Sequence, residues 1–261
     1  MFEAVSNHIS RLICPLQSTG QVGKSTVLSS IVEYLKANEI SYRAIDADGE
    51  HKTLSRWYSN TLHVPFSEKN DLLTILGSLG TEKVQLIDFP AQATTTLLKA
   101  LMDFDAIAFL AERGIRVTIV LFANQDQAGM VAASDIFKTL GRTVDYLVVE
   151  NPVKFGSSGF WKSRLGEAFE NDAKLTLPAL PDDTVYKINL ESKKLNRVCN
   201  FIEAVDHLQG IDKMALSCWK KEVFSSLHSV ARVFLPVGHE IPEAEEFEIK
   251  KPVRSNLLDL Y

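Results

Sequence analysis

The sequence predicts an α/β fold, a doubly wound and mostly parallel sheet with helices on both faces. Three observations lead there. Short apolar runs alternate with stretches of helical periodicity, the pattern of repeated βαβ units. The runs are continuous rather than alternating, as in VTIVLFA over residues 117–123, which suits strands covered on both faces. A glycine-bearing turn, TGQVGKST, stands directly after the first strand-like run and directly before a helical one.

The elements follow in order. Strands are expected at residues 8–16, 41–45, 84–87, 117–122 and 143–149, with a weaker one near 175–177. Helices are expected at 24–37, 93–113, 128–140 and 160–171. Pro15 removes one ladder donor from what should be a central strand, so regular pairing is expected to end at Cys14. Pro178 and Pro181 mark a loop, after which the pattern turns helical from about 195 to 234. There Trp219, Val223, Leu227, Val230 and Phe234 recur at helical spacing, opposite Lys220, Lys221, Ser225 and Arg232. Packing of a last helix on the core is expected in preference to a membrane-surface helix. Residues 236–261 hold six acidic residues, three basic residues and three prolines, which reads as a solvated, flexible tail. Its apolar end, NLLDLY, suits docking on the body or on a partner. The expected division is one domain over 1–235 and a tail over 236–261.

Composition limits what such a chain does. With 261 residues, 46% apolar, 23% charged and a net charge of −5, it reads as an ordinary globular protein and excludes global disorder or a collagen-like chain. Binding of nucleic acid would need a local patch. One candidate exists, residues 192–236, with seven Lys/Arg against four Asp/Glu. Cys14, Cys199 and Cys218 are far apart and form no CxxC pair, which argues against a disulfide framework or a zinc site. No apolar stretch of about 18 residues occurs, so no stable membrane insertion is expected. Glu3 and His8 stand where a signal peptide would carry basic and unbroken apolar regions. A cytoplasmic location is expected.

The strongest chemical signal is Gly20-Gln21-Val22-Gly23-Lys24-Ser25-Thr26. Glycines let backbone N–H groups curl around phosphate oxygens with no Cβ in the way. The following helix start adds unpaired N–H donors and about half a positive charge. In such a P-loop, Lys24 reaches the terminal phosphates and the Ser25 hydroxyl ligates Mg²⁺. Asp88 ends an apolar strand at the carboxyl edge of the sheet, where a carboxylate can hold Mg²⁺ through a water, or else cap a helix. Asp46 and Asp48 share a face of an extended segment and cannot both be buried unpaired. Asp48, before Gly49, also suits a turn-initiating aspartate.

Three motifs together resemble the deviant-Walker ATPases of the ParA/MinD type, in the SIMIBI class of P-loop NTPases. They are T-G-Q-V-G-K-S at residues 19–25, A-I-D-A-D at 44–48, and V-Q-L-I-D-F-P-A at 84–91. The strand ending in Asn151 and the segment LPALPDD at 177–183 are similar to the family's two base-contacting segments. The resemblance spans about residues 8–190. It implies a P-loop NTPase fold, ATP and Mg²⁺ as ligands, and slow hydrolysis. It gives Lys24 and Asp48 catalytic roles, with Asp48 positioning the attacking water, and places Ser25, Asp46 and Asp88 about the metal. Gly20, Gln21, Val22, Gly23, Thr26, Asn151, Pro181 and Asp182 fall to nucleotide binding. As partners it implies an ATP-dependent homodimer, and non-specific DNA or a DNA-bound protein, in plasmid partition or conjugal transfer.

The chain departs from the family at two positions. The signature lysine is Thr19 here, with Lys52 and Arg56 the nearest cations in sequence, and Gln21 replaces a glycine. Altered loops of this kind resemble the plasmid-stability and conjugal-transfer branch. A metabolic P-loop ligase or synthetase, or a nucleotide-binding scaffold without hydrolysis, are the alternative readings. A GTPase is disfavoured. Asn124-Gln125-Asp126 places the aspartate two residues after the asparagine, where guanine recognition needs three.

Overall fold

The computed structural model describes residues 9–17, 20, 22–196 and 198–241. Seven strands form one sheet: β1 Ser10–Pro15, β2 Tyr42–Asp46, β3 Leu62–His63, β4 Val84–Asp88, β5 Ile115–Phe122, β6 Asp145–Glu150 and β7 Ala173–Thr176. Their order is β3-β2-β4-β1-β5-β6-β7 and every pairing is parallel. The fold is the expected α/β P-loop architecture, with β1 at the centre, β2 to β4 on one side of it and β5 to β7 on the other.

Each face of the sheet is covered by helices. On one face lie α1 Lys24–Ala37 and α10 Gly210–Ser229, which bury Val27, Ile31 and Leu35 against Val223, Leu227 and Phe234. On the other, α3 Asp71–Gly77, α4 Thr94–Asp103 and α6 Gln127–Leu140 bury Leu72, Leu97 and Ile136 against Ile45, Ile87 and Ile119. Apolar runs such as residues 117–122 are buried because alternate side chains feed the two layers.

The Pro15 expectation is corrected by the two edges of β1. Even-numbered residues of β1 donate toward β5, as in Ser10 N to Gly114 O at 3.0 Å, and odd ones toward β4, as in Arg11 N to Lys83 O at 3.0 Å. The missing Pro15 donor therefore falls on the β4 side, where pairing stops at Ile13, while pairing with β5 continues through Pro15.

Three helix expectations are also corrected. The run 93–113 is broken at Asp105, whose left-handed φ of 47° separates α4 from α5 Ala106–Glu112. The run 160–171 is two short helices, α7 Ser158–Trp161 and α8 Arg164–Ala168, the second restarted by the Ser163 hydroxyl accepting from Gly166 N. The run from about 195 to 234 is helical as α10 only from Gly210 to Ser229; an unexpected α9, Asp182–Lys194, precedes it and stops where Asn196 takes φ 51°. A short α2, Thr53–Trp57, and the strand β3 had no periodic signal. The last-helix apolar stripe does pack on the core, with Trp219, Val223, Leu227, Val230 and Phe234 all buried.

The chain beyond 235 begins tied to the body. Val237 bridges Ile9, and the buried Arg11 guanidinium donates to Leu235 O at 3.1 Å and Arg232 O at 3.0 Å while pairing with Asp145. Residues 242–261, most of the expected tail, lie outside the described residues. Among the described residues no helix is long and apolar enough to cross a membrane.

Candidate functional site

The junction from β1 to α1 is built around Gly23. It caps α1 with φ 109°, a conformation that only glycine adopts without strain. A Cβ there would also lie 3.0 Å from Asn151 Nδ2. Lys24, Ser25 and Thr26 form the first turn of α1, so their backbone N–H groups point out of the helix mouth toward the carboxyl edge of the sheet. Gln21 and Thr19 lie outside the described residues.

Asp88 ends β4, the strand beside β1, and this adjacency places its carboxylate against the helix mouth. Ser25 Oγ donates to Asp88 Oδ2 at 2.7 Å. Burial pushes the Asp88 carboxyl up to about 6; the Ser25 hydrogen bond and the Lys24 charge oppose that, and Asp46 and Asp48 add to it. Burial likewise lowers the Lys24 ammonium, against the pull of Asp88 and Asp48. Lys24 and Asp88 thus sit in a part-desolvated pocket where charge is costly, and a phosphate with a cation would compensate both. A hydroxyl beside a carboxylate is the hard-oxygen donor set that Mg²⁺ takes while keeping waters, so the residues present fit that ion.

Asp46 and Asp48 separate in role. Asp46 is fully buried; its Oδ2 accepts from Ser55 N at 2.8 Å and its Oδ1 from Asp48 N at 3.1 Å. Both oxygens therefore hold backbone, pinning α2 and the segment after β2, and Asp46 does not line the cavity. In this structure the Asp46 carboxylate holds the Ser55 and Asp48 N–H groups, a contact that sequence spacing does not reveal. Asp48 does line the cavity, and its Oδ1 also accepts from Glu50 N and His51 N, both at 2.9 Å. It is the turn-former and a cavity residue at once.

The cavity has a volume of about 800 Å³, within the range of small-molecule sites. Gly20, Val22 and the first turn of α1 form its middle. Toward β6 and β7 it is walled by Asn151, Lys154, Pro178 and Asp182, and by Phe201 and Trp219. Asn151 Nδ2 donates to Val22 O at 2.9 Å, so this side chain braces the loop. Pro181 stands just outside the lining as the residue that precedes α9. The two aromatic walls were not legible as site residues. Trp219 carried only a core signal, and Phe201 falls within the run read as the last helix. Trp219 is indeed buried, but its Nε1 donates to Pro178 O at 2.8 Å, fixing the loop at the cavity mouth. At the opposite end, past Asp48, lie Trp57, Phe66, Phe89 and Thr96.

Two further groups of residues singled out in the sequence make contacts of their own. Lys52 and Arg56 do not line the cavity, and Arg56 is held by the His51 and Lys52 carbonyls. Asn124 and Asp126 bond each other, and Asp126 Oδ1 accepts from Gly129 N at 2.8 Å to cap α6. They read no base.

No family model matches the chain, and no curated protein matches it. Solved structures similar to it include FlhF with GMPPNP and Mg²⁺, at 15% identity and TM-score 0.42, covering 66% of this chain and 67% of that one. A plasmid partition protein from Borrelia burgdorferi aligns at 17% identity and TM-score 0.40, over 72% of this chain and 99% of that one. The MinC:MinD cell division complex of Aquifex aeolicus aligns at 12% identity and TM-score 0.43, over 90% and 98%.

Proposed function

We propose that this chain binds ATP with Mg²⁺ in the 800 Å³ cavity and hydrolyses it slowly, as a nucleotide-dependent switch of the ParA/MinD type in DNA partition or transfer. The observation that carries the nucleotide reading is the convergence of the Gly23-capped helix mouth, Lys24 and the Ser25–Asp88 pair on one point of the sheet edge. Backbone N–H groups and Lys24 bind the phosphates. Ser25 Oγ and Asp88 would hold Mg²⁺, which neutralises phosphate charge when bound. Asp48 faces the cavity from the segment that Asp46 anchors, in position to orient a water. Asn151 keeps the loop in shape, and the Pro178–Asp182 loop with Phe201 and Trp219 receives the base. Thr19 stands where the signature lysine would be, one charge fewer to stabilise the phosphoryl transition state, and the basal rate is below about 1 s⁻¹, under the usual enzyme range.

The test is ATP binding, turnover and mass by light scattering, with ADP and with a slowly hydrolysed ATP analogue. Lys24→Ala is expected to lose binding or turnover, and the wild-type chain to become a dimer with the analogue. Unchanged affinity and turnover in that variant refute the site. The stretch of cavity beyond Asp48, lined by Trp57, Phe66 and Thr96, favours one second reading, a ligase with a co-substrate there. A monomer that turns over tens of times per second only with a small co-substrate selects it.

A further inference from the structure

Among the described residues one group of three side chains has the make-up of a transition-metal site. The donor atoms of Cys199, Glu203 and His207 all lie within 4.8 Å of one another. We propose that Cys199 Sγ, the Glu203 carboxylate and His207 imidazole bind one Zn²⁺ ion, with its fourth position open to water. The donor set selects the metal class. A thiolate with an imidazole suits borderline ions and not Mg²⁺ or Ca²⁺, and three mixed ligands plus water match a four-coordinate zinc ion. With no second cysteine nearby, this arrangement carries no CxxC signature in the sequence.

The surroundings hold the ligands in place. Cys199 is buried, while Glu203 and His207 are part exposed, which gives an ion a way in. Cys199 N donates to the Ser192 hydroxyl of α9 at 3.0 Å. Asn200 is buried, and its Oδ1 accepts from Ile202 N at 3.0 Å and Glu203 N at 2.8 Å, fixing the turn that carries Glu203 back beside Cys199. Cys199 and Glu203 also make other contacts.

The same turn carries Phe201, which lines the large cavity and packs edge-to-face on Trp219 with ring centroids 5.8 Å apart. Zinc that pins residues 199–207 would hold this wall in place, so zinc and nucleotide should each tighten the other's binding, as linkage requires. This coupling rests on the proposed nucleotide reading; the metal site does not.

The experiment uses the full chain stripped of metal, titrated with Zn²⁺ by calorimetry and with Co²⁺ by absorption. One equivalent per chain is expected, and the Co²⁺ form should show a near-ultraviolet thiolate charge-transfer band. Cys199→Ser should abolish the band, Cys218→Ser should keep it, and His207→Ala and Glu203→Gln should each weaken zinc binding about tenfold or more. Absence of stoichiometric binding, or a band that survives in Cys199→Ser, overturns the proposal. If Cys199→Ser does not fold, the two part-exposed positions decide, and unchanged zinc affinity in both overturns it equally. A fluorescent ATP analogue should bind more tightly with zinc present, and this gain should vanish in His207→Ala. Zinc binding with no ATP binding in any state refutes the proposed function and leaves the metal site standing.

Discussion

Replacing Asp88 by Asn should make the nucleotide-free protein more stable and abolish the proposed turnover of Mg-ATP. The carboxyl is buried and its pKa is raised from an ordinary 3.8 to about 6, so ionising it costs more in the folded chain than in the unfolded one. At about 1.4 kcal/mol per pH unit this penalty is roughly 3 kcal/mol once the group is ionised in both states. A raised acid pKa sets the sign: the penalty is complete above the folded value, fades as pH falls, and is absent below the unfolded value. Lys24 and Ser25 already act within that figure, and Asn still accepts from the Ser25 hydroxyl. Urea unfolding of the metal-free, nucleotide-free chain should therefore show Asp88→Asn more stable by about 2–3 kcal/mol near pH 8, with the difference gone near pH 4. Turnover of Mg-ATP by the same variant should be lost. A variant no more stable than wild type near pH 8 would show that Lys24 and Ser25 outweigh desolvation. Asp88 would then be a structural ion-pair partner, and the reading of this pocket as awaiting a cation would fail.

Gly23→Ala meets both a left-handed φ and the Asn151 amide; it should cost about 1–3 kcal/mol in urea unfolding and remove binding of a fluorescent ATP analogue. Arg11→Met leaves the Leu235 and Arg232 carbonyls without their donor and removes one of the two arginines on Asp145, which Arg116 still holds, and should cost about 1–3 kcal/mol near neutral pH. Burial pushes the Asp145 carboxyl up, but Arg116 and Arg11 hold it below its usual range. Its contribution is present above the unfolded carboxylate pKa and lost as pH falls through the lowered value, so the cost of Arg11→Met should shrink in acid. If DNA backbone is the output partner, binding should be ATP-dependent, indifferent to sequence and steeply weakened by salt, and should be lost when Lys220 and Lys221, on α10, are both changed to Glu. DNA binding in that double variant equal to wild type would exclude this face.

The sequence by itself determined what depends on local pattern. Runs buried on both faces, such as residues 117–122, could only be central strands, and GKST between a strand and a helix could only be a helix mouth with a lysine. α1 starts and ends where its periodicity says it should, at Lys24 and Ala37. Tertiary structure decided everything that depends on which strand lies beside which. Ser25 and Asp88 are 63 residues apart and meet at 2.7 Å because β4 pairs with β1. Asp46 and Asp48 look alike in sequence, yet one is spent on the Ser55 and Asp48 backbone and the other faces the cavity. Phe201 and Trp219 reach the cavity only because α10 folds back over α1 and β7. Cys199, Glu203 and His207, by contrast, recur every four residues, so their convergence is local. Periodicity reports which face of an element is buried, because burial acts on each residue in turn. It carries no information on the neighbour across that face, and a site is made of such neighbours.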